Sequence, residues 1–320
     1  MYDIFFYETF EEEAEALKKY LPSSISYGMT WKTIQEESHS APPARLISIR
    51  TQSIIPTQWS TQIDGILSRS TGYDHLVNYR KQVPSPPHCG YLEEYATQAV
   101  AEHAILLTLA LLRKLPRQWK QFPTFNRDGM TGFECAGRKL LVVGVGRIGS
   151  EIVRIGSALR MEVKGVDIEQ KYSFVPYTER DEGIRWSDII VCAMNLTNDN
   201  RGYFSYDLLK HAKEGAIFIN IARGEHAPLK DIVRLLEDER LGGVGLDVFE
   251  DEPNLASSLR GKANVNSESV GYIKTLMEFP NVLLTPHNAF NTMEAVERKA
   301  QYSVQQIEYF LQYKKFLWEL

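Results

Sequence analysis

The sequence predicts an α/β protein of two domains, the larger a doubly wound parallel sheet covered by helices on both faces. Three observations carry this reading. Near-continuous apolar runs at 139–143, 163–166, 188–193, 216–222, 244–249 and 281–285 alternate with helical stretches, the pattern of strands buried in a parallel sheet. The first run passes directly into Gly144-Val-Gly146-Arg147-Ile148-Gly149 and then into a helical repeat. Ahead of both lies a block of about 95 residues in which short strands alternate with helices, a smaller α/β unit.

In that block Ile4–Tyr7 reads as a strand, Glu11–Tyr20 as a helix, and Leu46–Arg50 and Ile66–Ser70 as further strands. Val83-Pro-Ser-Pro-Pro-His88 reads as a rigid crossing without regular structure. A helix from about 94 to 115 is apolar on most faces, so it is expected to be buried between domains or subunits, with Pro116 ending it and a polar loop following. In the sheet domain, Ile148, Ile152, Ile155 and Leu159 recur at helical spacing, and Val163–Asp167 reads as the returning strand of a βαβ unit. Residues 254–279, rich in Ser, Asn, Gly and Lys, read as an irregular surface insertion with some helix near 272–278. The chain is expected to end in a long helix over 291–320, capped by Asn291 with Glu294 three residues on.

Composition narrows the class. A chain of 320 residues, 43% hydrophobic and 24% charged, has ample material for a large core. Its net charge of −5, without a basic stripe, argues against a nucleic-acid partner. Cys89, Cys135 and Cys192 stand far apart, which suggests free thiols in a reducing compartment and no metal site. The start of the chain has no secretory pattern, and the run Ala104–Leu112 is too short to span a bilayer. A cytoplasmic protein with no membrane partner is the expectation.

The glycine turn has a specific chemistry. Gly144 permits the tight bend, Gly146 lets a pyrophosphate approach the backbone, and Gly149 lets helix and strand pack closely, while the helix N-terminus offers free N–H groups. Asp167, 18 residues after Gly149, stands where a carboxylate reaches a ribose. Together these predict a Rossmann-type dinucleotide site. Asp167 and the absence of arginine in Ile168-Glu169-Gln170 favour NAD over its phosphorylated form.

Ligands of such sheets bind beyond the carboxyl ends of the strands. There the sequence places Asn195 and Thr197 after one run and Ala222 and Arg223 at the end of the next. Asp247 and Glu252 follow on the next strand end, and His287 on the last. Each has a structural alternative by itself, but an arginine, an acid and a histidine from three loops converge on the rim that holds the cofactor turn. Such a trio suits hydride transfer to a carbonyl flanked by a carboxylate. Arg223 grips the carboxylate, His287 exchanges a proton with the oxygen, and Glu252 favours the protonated imidazole.

These residues carry a resemblance over nearly the whole chain. Val100-Ala-Glu-His103, Gly144–Gly149, Asn220-Ile-Ala-Arg-Gly224, Gly245-Leu-Asp-Val-Phe249 with Glu252-Pro253, and Thr285-Pro-His287 occur in one order. The chain resembles the D-isomer-specific 2-hydroxyacid dehydrogenases, nearest their D-lactate dehydrogenase branch. The resemblance implies that Arg223, Glu252 and His287 are catalytic, with Gly144, Gly146, Arg147, Ile148, Gly149, Asp167, Asn195, Thr197, Ala222 and Asp247 around NAD. It implies a flavodoxin-like substrate domain of residues 1–96 plus 288–320, into which an NAD domain of residues 97–287 is inserted. Gly72 and Tyr73, in Ser70-Thr-Gly-Tyr-Asp74, would hold the substrate carboxylate, Tyr95 would bond it, and Phe290 would wall the side-chain pocket. An aromatic wall favours a small or apolar 2-keto acid such as pyruvate. Gln98 and Asn288 depart from the usual pattern and leave the substrate open to glyoxylate, hydroxypyruvate or longer keto acids. A homodimer through the 94–115 region is implied. An NAD-sensing corepressor on the same fold is the reading from another class.

Overall fold

The computed structural model describes residues 2–261 and 268–320. The chain forms two compact units, one of Met1–Ala96, Ala256–Asn264 and Asn291–Leu320, the other of Thr97–Leu255 and Val265–Phe290. Ala289 and Phe290 therefore fold with the second unit, three residues beyond the boundary expected at 287/288. Their buried side chains and the bond from Ala289 N to Asp247 are the physical reason.

The first unit is built on a parallel sheet of order β2-β1-β3-β4-β5, with β1 at Ile4–Phe6, β2 at Tyr27–Met29, β3 at Leu46–Ile49, β4 at Gly65–Ser68 and β5 at His88–Gly90. This is the doubly wound order whose switch point lies between β1 and β3. Helices α1 (Glu11–Tyr20), α2 (Ile34–Glu37) and α3 (Asp74–Gln82) link the strands. Two short elements were invisible in the sequence. β2 is only half-buried and carries Gly28, and β5 begins directly at the end of the proline-rich crossing.

Buried charge holds this unit together. Glu13 on α1, Arg69 after β4 and Lys299 are all completely buried. Arg69 Nε and Lys299 Nζ reach the same Glu13 oxygen at 2.9 and 2.7 Å. Arg69 also donates to Ser48 Oγ at 2.9 Å and to the Tyr7 carbonyl at 2.6 Å, stitching the ends of β1, β3 and β4. Burial alone would raise the Glu13 pKa, but the two cations outweigh it and hold the carboxyl well below the usual range. Glu8, in the left-handed region at φ 55°, accepts from the backbone N–H groups of Arg50, Gln52 and Ser53 and fixes the turn after β3.

The second unit starts with α4 (Thr97–Leu112), which is buried along most of its length as its composition requires. Pro116 does not end it. The chain breaks at Lys114, in the left-handed region, and Pro116 instead opens α5 (Leu115–Gln121), where a missing N–H costs nothing. The sheet runs β11-β10-β9-β8-β6-β7, all parallel, with β6 at Lys139–Val143, β7 at Glu162–Val166, β8 at Ile189–Cys192, β9 at Ala216–Asn220, β10 at Leu241–Leu246 and β11 at Val282–Leu284. Helices α6 (Arg147–Ala158), α7 (Arg180–Trp186), α8 (Tyr206–Leu209) and α9 (Leu229–Glu237) connect them.

β10 starts three residues earlier than its apolar run, because Gly242 and Gly243 hide the pairing of Leu241 with Ala216. Among the described residues, the stretch 254–279 is helical rather than irregular. It contains α10 (Glu252–Leu259) and α11 (Glu268–Glu278), which bury Leu255, Ile273 and Leu276 in the core; residues 262–267 lie outside the described residues. The polar surface of both helices diluted the apolar pattern. In the first unit the last helix, α12 (Met293–Tyr313), is capped by Thr292, whose Oγ accepts from Ala295 N, rather than by Asn291. It stops at Lys314, and the final residues return to bridge β5 at Gly90–Glu319.

The buried charge cluster makes a direct prediction. Glu13→Gln leaves Arg69 and Lys299 buried together without a counter-charge, and should lower unfolding free energy by about 3–5 kcal/mol in urea denaturation. Lys299→Met, which keeps the Arg69–Glu13 bond, should cost much less. Equal stability of Glu13→Gln and wild type would contradict the assignment.

Candidate active site

The switch point of the second sheet lies between β6 and β8, and the glycine turn sits on it. Gly144 has φ 91°, and a Cβ there would meet Met194 N at 2.6 Å. A Cβ on Gly149 would lie 2.0 Å from the Gly144 carbonyl, so α6 approaches the turn as closely as backbone allows. A Cβ on Gly146 would meet nothing within 4 Å. That position faces open space in front of the N-terminus of α6, whose first residues are Arg147 and Ile148. The three glycines thus divide into two that the fold needs and one that leaves room for a ligand.

Asp167 stands just beyond β7, and its carboxylate accepts from Val145 N at 2.5 Å and from Glu169 N at 3.0 Å. The acid is therefore held against the glycine turn before any ligand arrives. After β8, Asn195 and Thr197 are exposed on the rim. Asn200, which the sequence reading overlooked, organises them: its Oδ1 accepts from Thr197 N and its Nδ2 donates to Asn195 O, both at 2.8 Å.

The next three strand ends are adjacent in the sheet and carry the candidate catalytic residues. Arg223 follows β9, where Asn220 braces the turn by donating to the Arg223 carbonyl at 2.8 Å and accepting from Ala222 N at 3.1 Å. Glu252 follows β10 as the first residue of α10. His287 follows β11, and its Nδ1 lies 2.8 Å from both Glu252 oxygens. Both side chains are largely shielded, at 18% and 15% exposed. Glu252 accepts only, so Nδ1 carries the proton of that bond, and Nε2 is left as the working nitrogen.

His287 is in the left-handed region at φ 51°, a costly conformation for a residue with a Cβ. Asp247 enforces it. Its carboxylate, 1% exposed, accepts from Thr285 Oγ at 2.6 Å, Asn288 N at 2.8 Å and Ala289 N at 2.9 Å. Its own carbonyl accepts from His287 N at 2.8 Å. The Thr285 hydroxyl spends its proton on Asp247, so it accepts from His103 Nε2 on α4 at 3.1 Å. Burial pushes the His103 pKa below its ordinary value against the attraction of Asp247, consistent with a neutral ring donating one N–H. Asp247 was expected beside a ligand; its bonds make it first an anchor of the 285–289 turn. Its backbone donors carry no mark in a sequence.

In the first unit, the loop Ser70–Asp74 follows β4. Ser70 Oγ donates to the Gly72 carbonyl at 2.8 Å, and Ser68, paired with His75 at 2.9 Å, braces Ser70 from below. Tyr73 stands at the N-cap position of α3 without a side-chain capping bond, its ring 4.7 Å from that of Tyr91. Tyr95 is buried, and its carbonyl accepts from Arg298 at 2.8 Å. Phe290 is buried in the second unit. Among the described residues no helix is long and apolar enough to cross a membrane.

Comparison with known proteins agrees with this fold. Residues 105–289 match the family model described as D-isomer specific 2-hydroxyacid dehydrogenase, NAD binding domain. The 2-hydroxyacid dehydrogenase A of Aspergillus oryzae is 28% identical over 81% of this chain and 75% of its own length. A glyoxylate reductase of Pyrococcus furiosus is 26% identical over 84% of this chain and 82% of its own. Among solved structures, the D-lactate dehydrogenase of Aquifex aeolicus, complexed with NAD and lactic acid, superimposes with a TM-score of 0.83 at 26% identity, covering 98% of each chain.

The glycine geometry separates binding from folding. Gly146→Ala should leave the thermal midpoint within about 2 °C and weaken NADH binding at least about tenfold, because its methyl enters only the ligand's space. Gly149→Ala should destabilise the protein itself. The reverse pattern, read by calorimetry and NADH fluorescence, would contradict this division.

Proposed function

The chain belongs to the D-isomer-specific 2-hydroxyacid dehydrogenase family, NAD-dependent oxidoreductases of 2-hydroxy acids, and from that premise we propose that it reduces pyruvate to D-lactate. The observation that carries the reading is the His287–Glu252 pair, held at 2.8 Å on the strand ends beside Arg223 and on the same edge as the glycine turn.

In this reading Arg223 grips the substrate carboxylate through a planar, always-charged guanidinium and polarises the neighbouring carbonyl. NAD, when bound, supplies or accepts the hydride. His287 Nε2 gives its proton to the carbonyl oxygen as the alcohol forms and takes it back in the reverse direction. Glu252 keeps Nδ1 protonated throughout, so one ring orientation serves both directions. The family resemblance assigns the backbone of Gly72 and Tyr73 and the hydroxyl of Tyr95 to the substrate carboxylate, and Phe290 to the side-chain pocket. Asp167 bonds the ribose hydroxyls and repels a 2′-phosphate, which favours NADH over NADPH.

Pyruvate is favoured by the aromatic residues Tyr95 and Phe290 and by the likeness to a D-lactate dehydrogenase. Glyoxylate, hydroxypyruvate and aromatic 2-oxoacids are the competing substrates. The proposed assembly is a homodimer. Past α4, Trp119, Phe122 and Phe125 are 78%, 72% and 71% exposed and line, with Leu115 and Met130, an apolar cavity of about 380 Å³. Aromatic exposure on that scale supports a surface that a partner covers. The cysteines are free, which supports a reducing, cytoplasmic compartment.

An NADH-oxidation panel of 2-keto acids tests the substrate, with pyruvate expected to give the highest kcat/KM; a higher value for an aromatic keto acid would overturn that choice. His287→Gln should hold NADH as wild type does and lose about 10²–10⁴-fold in kcat.

A further inference from the structure

His226 is completely buried in the single turn that follows Arg223. Its Nδ1 lies 3.2 Å from the Asn200 carbonyl and its Nε2 3.2 Å from the Met194 carbonyl. A carbonyl oxygen only accepts, so each bond needs a ring N–H. A neutral imidazole carries one, and the imidazolium carries two. Burial pushes the His226 pKa below its ordinary value; the two carbonyls and Glu225 oppose that, and Arg223 adds to it. Glu225 is itself 3.9 Å from Arg201 and shares its surroundings with Glu250.

The two carbonyls are the two ends of one loop, residues 194–200. Met194 packs against Gly144 of the cofactor turn, and Asn200 fixes Asn195 and Thr197 from within. His226 therefore stands between both ends of the loop and the turn that carries Arg223; the neutral ring donates to one end, and only the imidazolium donates to both.

We propose that His226 is a positioning residue for NAD: it clasps the loop 194–200 at both ends, and acid tightens the clasp by supplying the second ring N–H. The inference rests on the reading that Asn195 and Thr197 face the cofactor. It adds a pH dependence to cofactor binding that is separate from the proton carried by His287.

The test uses two readouts at about pH 5.5 and about pH 8: hydrogen exchange over 194–200 in the cofactor-free protein, and NADH Kd by fluorescence. In wild type the loop should exchange more slowly, after correction for intrinsic rates, and NADH should bind about threefold tighter at the lower pH. His226→Leu should loosen the loop, raise Kd about fivefold and abolish the pH difference. His226→Gln, which donates an N–H but does not titrate, should restore affinity to within about twofold without restoring the pH difference. Unchanged exchange in His226→Leu would overturn the clasp. Changed exchange with unchanged Kd would overturn its role toward NAD. A pH difference persisting in His226→Gln would overturn the titration, and that variant decides the matter even if His226→Leu does not fold.

Discussion

The active edge of the second unit depends on one buried carboxylate. Asp247 has no exposure to speak of, and its oxygens take the Thr285 hydroxyl and the backbone N–H groups of Asn288 and Ala289. A carboxylate in such a place is tolerable only because donors surround it. The arrangement has a consequence for chemistry. With the segment on either side tied to Asp247, His287 is forced into the left-handed region and its Nδ1 onto Glu252. Strain at the histidine is offset by hydrogen bonds from Thr285 on one side and from Asn288 and Ala289 on the other.

The same logic repeats along the rim. Each candidate side chain of this rim stands after a parallel strand, and a neighbouring polar residue fixes its turn: Asn220 for Arg223, Asn200 for Asn195 and Thr197, Asp167 for the glycine turn. Parallel strands in register bring the turns to one edge, and hydrogen bonds to backbone set their directions. His226 extends the pattern by joining two of these turns, which is why its ring meets two acceptors at once.

Much of this was legible in the residues. The strand runs, the glycine turn and the family landmarks have strong patterns because burial on both faces and close backbone approach leave few residue choices. What escaped notice has weak patterns for physical reasons. β2 and β5 are short edge elements, and Gly242 and Gly243 mask the start of β10. α10 and α11 bury only a few side chains and so look polar. The Thr292 cap differs from Asn291 by one residue and depends on backbone angle. The anchoring by Asp247 and the two carbonyl acceptors that face His226 involve backbone groups, which no side-chain pattern records.

The claim that Asp247 assembles the proton-transfer end of the site is tested most directly by the turnover of Asp247→Asn with NADH and a 2-keto acid. Replacing one accepting oxygen by an N–H sets donor against donor in the 285–289 turn. The account predicts a folded protein whose kcat falls about 100-fold or more, since a misplacement of about 1 Å is enough for such a loss. A wild-type kcat in that variant would contradict it.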